Sequence, residues 1–248
     1  MSDLPNDPTA LRRNRYEVDG AVVAVDSIVE SPKLAVLSGL LSPAECDALV
    51  TEARALVAPS LVIDEHNVGT TSHDTRTSSG AHFLPGASAL ADAVQRRIMS
   101  VIGLPMDRAE PLQVQHYVPG QEYAPHFDYF DTTADPAAAA PSSGPVSTTV
   151  SRFGQRVATM ICYLSEVEAG GATVFPSAGF EVRPRPGRAV YFTYLDADGA
   201  VDPMSLHAGA SIEEGEKWIV TQWCRERPYR VAAPASWAPP APPSPARP

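Results

Sequence analysis

Residues 110–130 read EPLQVQHYVPGQEYAPHFDYF, and the interpretation of the chain starts from this stretch. Its β-branched and aromatic residues predict two short strands, at 112–118 and 123–130, with a turn at Pro119-Gly120 between them. Because no helical pattern separates successive strands in this half of the chain, we expect antiparallel pairing in the sheet that they form. Antiparallel sheets of short strands are typical of sandwiches and barrels, which leave few exposed edges.

The same strand pattern continues toward the C-terminus. Runs rich in β-branched and aromatic residues predict further strands at 156–164, 172–175, 187–194 and 217–224. Gly-Gly and Asp-Gly pairs supply turn signals in this half of the chain. The region after residue 110 is therefore expected to form a β-sandwich or barrel.

Two amphipathic helices are predicted upstream of these strands. Ser42-Pro43-Ala44-Glu45 combines an N-cap, a proline at the first helical position and a capping-box glutamate, and it begins a helix at 42–57. A second apolar pattern with helical spacing covers 87–102 and stops before a glycine. We expect a mainly β fold with flanking helices, in which the N-terminal helices pack on one sheet.

Composition sets the domain organisation. A chain of 248 residues with 44% hydrophobic residues is large enough for one sizeable core, which we place at 21–231. The polar segment 1–20, the Ala/Pro/Ser/Thr-rich insert 132–149 and the proline-rich tail 232–248 are expected to be unordered. The three cysteines are widely spaced and show no CxxC pair, so neither a disulfide framework nor a zinc site is indicated.

The charge of the chain argues against polyanionic partners. Lys plus Arg total 19 and Asp plus Glu total 29, which gives a net charge of −10 at pH 7. A field of this sign repels nucleic acid and anionic membrane surfaces. Neither a signal peptide nor a membrane-spanning run is visible, so a soluble protein in the cytoplasm is expected.

Candidate metal ligands lie in the second predicted strand and near the C-terminus. His126 and Asp128 are two residues apart, so on a strand both side chains would project from one face. His207 precedes the last predicted strand and is the candidate third ligand. Two histidines and one carboxylate on one side of a metal are the arrangement of non-haem Fe(II) oxygenases. A buried hydrogen-bonded His–Asp pair is the structural alternative.

A lysine begins the last predicted strand. Lys217 stands at the head of Lys217–Trp223, whose inward face is otherwise apolar. A cation placed deep in a pocket needs an anion to offset its desolvation. A dicarboxylate bound by the metal at one end and by Lys217 at the other would meet this need. The alternative is an ordinary solvated lysine on an edge strand.

These motifs resemble the catalytic domain of prolyl 4-hydroxylases, over a region from about Val36 to Tyr229. The resemblance rests on EPLQVQHY at 110–117, PGQ at 119–121, HFDYF at 126–130, QRVAT at 155–159, GGATVFP at 170–176, His207 and Lys217. It implies a double-stranded β-helix, or jelly roll, that uses Fe(II), 2-oxoglutarate and O2, with ascorbate expected as a supporting reductant.

The resemblance also implies roles for individual residues. It makes His126, Asp128 and His207 the iron ligands and pairs Lys217 with the distal carboxylate of 2-oxoglutarate. The remaining cosubstrate positions are Tyr117, Thr173 and Trp223. The positions near the peptide substrate are Glu110, Tyr123, Arg156 and, in an RTSSG loop at 76–80, Arg76 and Ser78. His116 precedes Tyr117 and is expected to face the opposite way, as a packed or surface residue.

The implied substrate is a proline-containing peptide, whose prolyl C–H would be hydroxylated while 2-oxoglutarate is decarboxylated to succinate. Two positions depart from the family pattern, since His82 and Arg225 stand where a Trp and a His are usual. A hydroxylase of a free amino acid or small metabolite therefore stays open. A non-catalytic jelly-roll module that binds peptide or senses 2-oxoglutarate is a further alternative. The expected assembly is a monomer or homodimer.

Overall fold

The structure is a computed structural model, and it describes residues 4–11, 15–59, 62–63, 70–71, 77–130, 150–195 and 200–229. Three predictions lie outside these residues. They concern the insert at 132–149, the tail at 232–248 and Arg76.

Short strands dominate the described chain. In chain order they are β1 Arg15–Val18, β2 Ala21–Val29, β3 Leu34–Ser38, β4 Ala58–Pro59, β5 Val62–Ile63, β6 Thr70–Thr71, β7 Ser79–Phe83, β8 Leu112–Tyr117, β9 Tyr123–His126, β10 Arg156–Tyr163, β11 Ala169–Gly170, β12 Thr173–Phe175, β13 Phe180–Val182, β14 Ala189–Thr193, β15 His207–Gly209, β16 Ile212–Glu214 and β17 Lys217–Arg225. Two α-helices lie wholly within the described residues, α1 Pro43–Arg54 and α2 Ala89–Ile102, and residues 150–153 are also helical. Short 3-10 turns lie at Pro8–Ala10, Met106–Arg108, Pro176–Ala178 and Pro203–Ser205.

The strands form a large and a small antiparallel sheet. The major sheet has nine strands in the order β1-β2-β3-β14-β10-β17-β8-β7-β4. The minor sheet has four strands in the order β13-β12-β15-β9, and β11-β16 and β5-β6 are isolated pairs. The ladders between the described strands are antiparallel, as expected for strands without intervening helices. The mainly β fold predicted from the sequence is confirmed.

The two helices cover one face of the major sheet. The Ser42–Glu45 capping box forms at the start of α1, and Gly103, at φ 77°, ends α2 with its N–H bonded to the Met99 carbonyl. Leu49 of α1 belongs to the same buried apolar cluster as residues of α2 and the sheet. The predicted packing of N-terminal helices on one sheet is therefore confirmed. None of the described helices is long and apolar enough to cross a membrane.

A second apolar cluster lies on the other face of the major sheet. It joins Phe192 of β14 and Ile219 of β17 to Phe175 of the minor sheet. Side chains along β14 alternate between the two clusters, since Tyr191 belongs to the helix-backed one. The two sheets thus face each other across this second cluster, and the site described below opens between them.

The N-terminal segment is more ordered than expected. Within the stretch up to residue 20, the structure places a 3-10 turn at Pro8–Ala10 and strand β1, which pairs with β2. Asn6 donates from its backbone N–H to the Ile102 carbonyl at 2.7 Å. Asp7 forms an ion pair with Lys33 at 3.0 Å. These polar residues were expected to be unordered, but both have partners on distant elements.

Candidate metal centre and anion pocket

Three candidate metal ligands meet where β9 pairs with β15. His126 ends β9 and lies opposite His207, the first residue of β15. Asp128 follows two residues later, and the ligand atoms of the three side chains all lie within 4.8 Å of one another. The Asp128 carboxylate oxygens are 3.7 Å from His126 Nε2 and 3.6 Å from His207 Nε2. The predicted grouping of these residues is confirmed.

The route by which Asp128 reaches this group differs from the prediction. The strand expected at 123–130 ends at His126, and Asp128 lies in the bend that follows. The backbone N–H and C=O of Phe130 bond the Gln155 side-chain amide, at 2.8 and 2.7 Å, instead of a neighbouring strand. The strand predicted at 123–130 is therefore wrong beyond His126, where side-chain hydrogen bonds replace the ladder, but Asp128 still lies beside His126 as expected.

Both imidazoles are oriented by backbone carbonyls. His126 Nδ1 lies 2.9 Å from the Ala124 carbonyl oxygen, and His207 Nδ1 lies 3.0 Å from that of Ser205. A carbonyl only accepts, so each Nδ1 carries the hydrogen and each Nε2 presents a lone pair. Each Nε2 is also the atom nearest Asp128. Two imidazole nitrogens and one carboxylate fixed in this way fit a divalent metal such as Fe(II).

Asp128 is held as a buried carboxylate. Its side chain is almost fully buried, and Thr159 Oγ1 donates to Oδ2 at 2.7 Å. Burial raises the pKa of Asp128, but His207 and His126 in their protonated forms, the charge of Arg156 and the Thr159 hydrogen bond lower it to about 2. The group is therefore an anionic acceptor across the neutral pH range, as a metal ligand must be.

The ligands open into a pocket between the two sheets. All four cosubstrate residues suggested by the resemblance line it, and so does Tyr123, whose ring stacks on His126 at 3.6 Å. The full lining is Gln115, Tyr117, Tyr123, His126, Asp128, Ile161, Thr173, His207, Ala208, Gly209, Lys217, Ile219, Thr221 and Trp223. Metal ligands and candidate cosubstrate residues thus share one pocket.

Lys217 brings a buried cation into this pocket. It lies directly opposite Tyr117 in the β17–β8 ladder, and its side chain is 2% exposed. Nζ is 5.5 Å from the centroid of the Tyr117 ring and 5.9 Å from that of Tyr163. Within the described ranges no carboxylate forms an ion pair with Lys217, and burial lowers its pKa to about 7. An ammonium in this position favours an anionic ligand.

Several pocket residues were not predicted. Gln115 precedes Tyr117 by two positions on β8, and Ile219 and Thr221 alternate with Trp218 and Val220 on β17. Each therefore shares a face with a residue that the sequence analysis did identify. Strand periodicity applied outward from Tyr117 and Lys217 would have found them.

Two predicted substrate residues form a buried ion-pair cluster. Glu110 accepts from Arg156 through both carboxylate oxygens, at 2.8 and 2.9 Å. Arg225 Nε lies 2.7 Å from Glu110 Oε1. Burial raises the pKa of Glu110, but the charges of Arg156 and Arg225 hold it below its ordinary value. Arg225, one of the departures from the family pattern, thus shares the Glu110 carboxylate with Arg156.

This cluster supports one wall of the pocket. The Arg156 guanidinium lies 4.2 Å from the centroid of the Trp223 ring, and Nη1 donates to the Asp128 carbonyl at 3.3 Å. Neither Glu110 nor Arg156 is among the residues that line the pocket. Of the predicted substrate residues, the structure therefore brings Tyr123 to the pocket and places the ion-pair cluster directly behind it.

Two residues lie at the edges of the site. Ser78 is buried immediately before β7. His116 stacks on Trp218 at 4.1 Å, and its Nε2 is 2.8 Å from Glu216 Oε2. His116 is thus packed on the face of β8 opposite Tyr117, as expected.

Comparison with known proteins identifies the family. Residues 112–225 match the 2OG-Fe(II) oxygenase superfamily. Probable prolyl 4-hydroxylase 10 of Arabidopsis thaliana is 32% identical, over 93% of this chain and 83% of the relative. Prolyl 4-hydroxylase 1 of the same plant is 35% identical, over 79% and 70%. The chain belongs to the prolyl 4-hydroxylase family.

Solved structures agree with this family. The viral collagen prolyl hydroxylase of Paramecium bursaria Chlorella virus 1, in its 2-oxoglutarate complex, superposes with a TM-score of 0.58 at 27% identity. The superposition covers 80% of this chain and 99% of the viral one. A Pseudomonas putida prolyl-4-hydroxylase shares the fold with a TM-score of 0.52 at 19% identity. The chain is thus an Fe(II)/2-oxoglutarate-dependent dioxygenase with the jelly-roll fold of the prolyl 4-hydroxylases.

Proposed function

We propose that the chain hydroxylates a C–H bond of a prolyl residue in a peptide while 2-oxoglutarate is decarboxylated to succinate and CO2. The observation that carries this proposal is the shared pocket. Three oriented metal ligands line it together with a buried lysine that has no carboxylate partner among the described residues. A metal at one end and a cation at the other suit a dicarboxylate cosubstrate. The similar plant proteins are named as prolyl 4-hydroxylases, which supports proline as the target.

His126, Asp128 and His207 would hold Fe(II), which when bound supplies the redox chemistry that couples decarboxylation to C–H hydroxylation. Lys217 would bind the distal carboxylate of 2-oxoglutarate through its ammonium. Trp223 gives the pocket an apolar wall, and such walls limit the access of water to the reacting groups. The protein therefore contributes binding, orientation and exclusion of water, and no acid–base residue is assigned.

An aromatic pair beside the metal ligands, with one exposed ring, supports a proline-containing substrate. Phe127, between the ligands His126 and Asp128, is 37% exposed. Its ring lies 4.7 Å from that of Tyr129. Proline-rich peptides in the polyproline II conformation commonly dock on aromatic surfaces. We therefore place the approach of the peptide along this pair and Tyr123.

The proposal is tested by exposing protein loaded with Fe(II) under anaerobic conditions to O2 in the presence of 2-oxoglutarate. One sample contains a proline-rich peptide, and its control contains the same peptide with alanine at each proline. We expect succinate to increase with the first peptide only, together with a 16 Da gain in that peptide. Equal succinate in both samples, with neither peptide modified, would contradict peptidyl proline as the substrate.

The second candidate is a hydroxylase of a free amino acid or small metabolite. It is favoured by the ion pairs that occupy Glu110, because a carboxylate already shared by two guanidiniums is not free for a peptide. Free proline as the added substrate distinguishes this candidate in the same assay. The role of ascorbate, the cytoplasmic location and the monomeric or dimeric state stay predictions.

A further inference from the structure

The last described residue of the chain lies close to the metal ligands. This residue is Tyr229, whose backbone N–H donates to the Asp107 carbonyl at 2.6 Å. The Arg225 guanidinium lies 5.5 Å from the centroid of the Tyr229 ring and 4.6 Å from that of the Phe130 ring. Phe130 follows the ligand Asp128 by two residues. The sequence after Tyr229 therefore starts one guanidinium away from the segment that holds Asp128.

That sequence is rich in the residue on which the proposed reaction acts. Residues 230–248 lie outside the described residues, and they read RVAAPASWAPPAPPSPARP. They contain seven prolines, at 234, 239, 240, 242, 243, 245 and 248. A polypeptide advances at most about 3.6 Å per residue, so the ten residues that lead to Pro239 can span up to about 36 Å. This length allows prolines of the tail to reach the pocket of their own chain.

The entrance of the pocket suits a proline-rich segment of this charge. From Arg230 onward the chain has two arginines and no acidic residue, whereas the whole chain has a net charge of −10. Glu122 is exposed directly before Tyr123, and Phe127 is exposed between two metal ligands. Proline-rich segments dock on aromatic surfaces, and opposite charges favour the encounter. The tail and the entrance are therefore complementary in both respects.

We infer that the proline-rich tail 232–248 is a substrate of its own chain, and that prolines within 239–245 are hydroxylated in cis. This inference rests on the proposed function, since it uses the same pocket and the same reaction. A tethered segment is present at an effective concentration in the millimolar range, so it occupies the entrance ahead of dilute peptides in solution.

The reaction balances without a further reagent. One oxygen atom of O2 enters the C–H bond of the tail proline and forms its hydroxyl group, and the other oxygen atom enters succinate. The carboxyl group next to the oxo carbon of 2-oxoglutarate leaves as CO2. The cosubstrate and the C–H bond each give up two electrons, which together reduce O2 completely.

The experiment exposes the whole wild-type chain, loaded anaerobically with Fe(II) and 2-oxoglutarate, to O2 labelled with oxygen-18, with no added substrate. Trypsin cleaves after Arg230 but not between Arg247 and Pro248, so it releases residues 231–248 as one fragment. This fragment contains no methionine, and sequencing by mass spectrometry distinguishes an oxygen on proline from one on Trp237. We expect labelled oxygen on at least one tail proline, with an equal amount of succinate.

A parallel sample with an added proline-rich peptide separates two kinds of failure. An unmodified tail in protein that does hydroxylate the added peptide would overturn the inference and leave the proposed function intact. Protein that hydroxylates neither the tail nor the peptide would contradict the proposed function, and the inference would fail with it.

Two variants of the tail form a matched pair. In the first, each proline of 232–248 is replaced by alanine, and in the second, Ser236→Ala and Ser244→Ala leave all seven prolines in place. Without added substrate, wild type and the serine variant should form succinate in a rapid early phase, and the proline variant should lack this phase. An early phase of equal size in all three proteins would contradict the inference.

A mixing experiment tests whether the reaction takes place within one chain. Asp128→Ala supplies an intact tail without a complete set of metal ligands, and the proline variant supplies the pocket without a tail proline. At micromolar protein, far below the effective concentration of a tethered tail, the tail of Asp128→Ala should stay unmodified while wild type modifies its own. Equal modification of the two tails would overturn the reaction in cis.

Binding gives a measurement that is independent of turnover. A synthetic peptide of residues 231–248 is titrated under nitrogen into protein loaded with Mn(II) and 2-oxoglutarate. The peptide should bind the proline variant about three- to tenfold more tightly than wild type, whose own tail competes for the same surface. Equal affinity for the two proteins would overturn the inference, because the wild-type tail would then not occupy the entrance.

Discussion

The two faces of strand β17 have different surroundings. One face packs in the apolar core and the other lines the pocket. Trp218, Val220 and Cys224 belong to the apolar cluster beneath the helices. Lys217 and Trp223, on the opposite face, line the pocket. The two sets alternate along nine residues, so a single strand supplies both the core and the pocket wall.

The two faces differ in how they treat polar groups. Gln222, on the helix side, accepts from Gln95 at 2.7 Å and donates to the Glu110 carbonyl at 2.9 Å. Lys217, on the pocket side, is equally buried but has no carboxylate partner among the described residues. In a stable core the buried polar groups are hydrogen-bonded within the protein. In a binding site some of them are left to bind a ligand. We therefore expect substitutions on the two faces to affect different measurements.

The largest expected effect comes from Asp128→Ala on the pocket side. This change removes the only carboxylate among the three grouped ligands. We expect succinate formation to fall by at least about 1000-fold and metal affinity to fall with it. Anaerobic Fe(II) titration and the succinate assay measure both quantities. Asp26→Ala, on strand β2, is the control and should behave as wild type, while persistent turnover in Asp128→Ala would refute the assigned ligands.

The second-largest expected effect comes from a substitution in the core on the helix side of the major sheet. Ile98 of α2 is fully buried, so Ile98→Ala removes methyl groups from a packed core. We expect the free energy of unfolding to fall by about 2–5 kcal/mol, measured by urea denaturation. The 2-oxoglutarate affinity of the folded protein should not change. Ser100→Ala, at an exposed position of the same helix, should be close to neutral, and a loss of 2-oxoglutarate affinity in Ile98→Ala would contradict the separation of the faces.

The smallest of these effects is a gain in stability. The pKa of Lys217 is about 7 in the folded protein, below its ordinary value of 10.5. Between these values the unfolded chain binds more protons, so wild-type stability rises with pH across this window. Lys217→Met removes the cost of the buried charge and should stabilise the protein by about 2–4 kcal/mol at pH 7. This gain should shrink toward pH 10.5.

Thermal unfolding at pH 7 and pH 10 measures this gain, with Lys33→Met as its control. Lys33 has a partly exposed ion pair with Asp7, so its loss should be neutral or slightly destabilising. Equal melting temperatures for wild type and Lys217→Met at pH 7 would show that the buried ammonium carries no cost. The contrast between the two faces would then lose its physical basis.

Local sequence signals predicted the helices and strands. The features that differ from the prediction depend on contacts between residues far apart in the sequence. The Ser42–Glu45 capping box and the alternation along β17 depend on near neighbours, so both could be identified from the sequence. The bend at Asp128 depends on Gln155, which lies 25 residues beyond the Phe130 that it bonds. The pairing of Arg225 with Glu110 spans a still longer separation, and no local pattern indicates it.

The central claim is that the pocket face of the sheet is built to bind an anionic cosubstrate beside the metal. The most direct test compares 2-oxoglutarate binding to Mn(II)-loaded wild type and Lys217→Met, with Mn(II) affinity measured on the same samples. We predict equal Mn(II) affinity and about 10- to 100-fold weaker 2-oxoglutarate binding in the variant, since one charge-assisted interaction is lost. Equal 2-oxoglutarate affinity in the two proteins, or a variant that no longer binds Mn(II), would contradict the account.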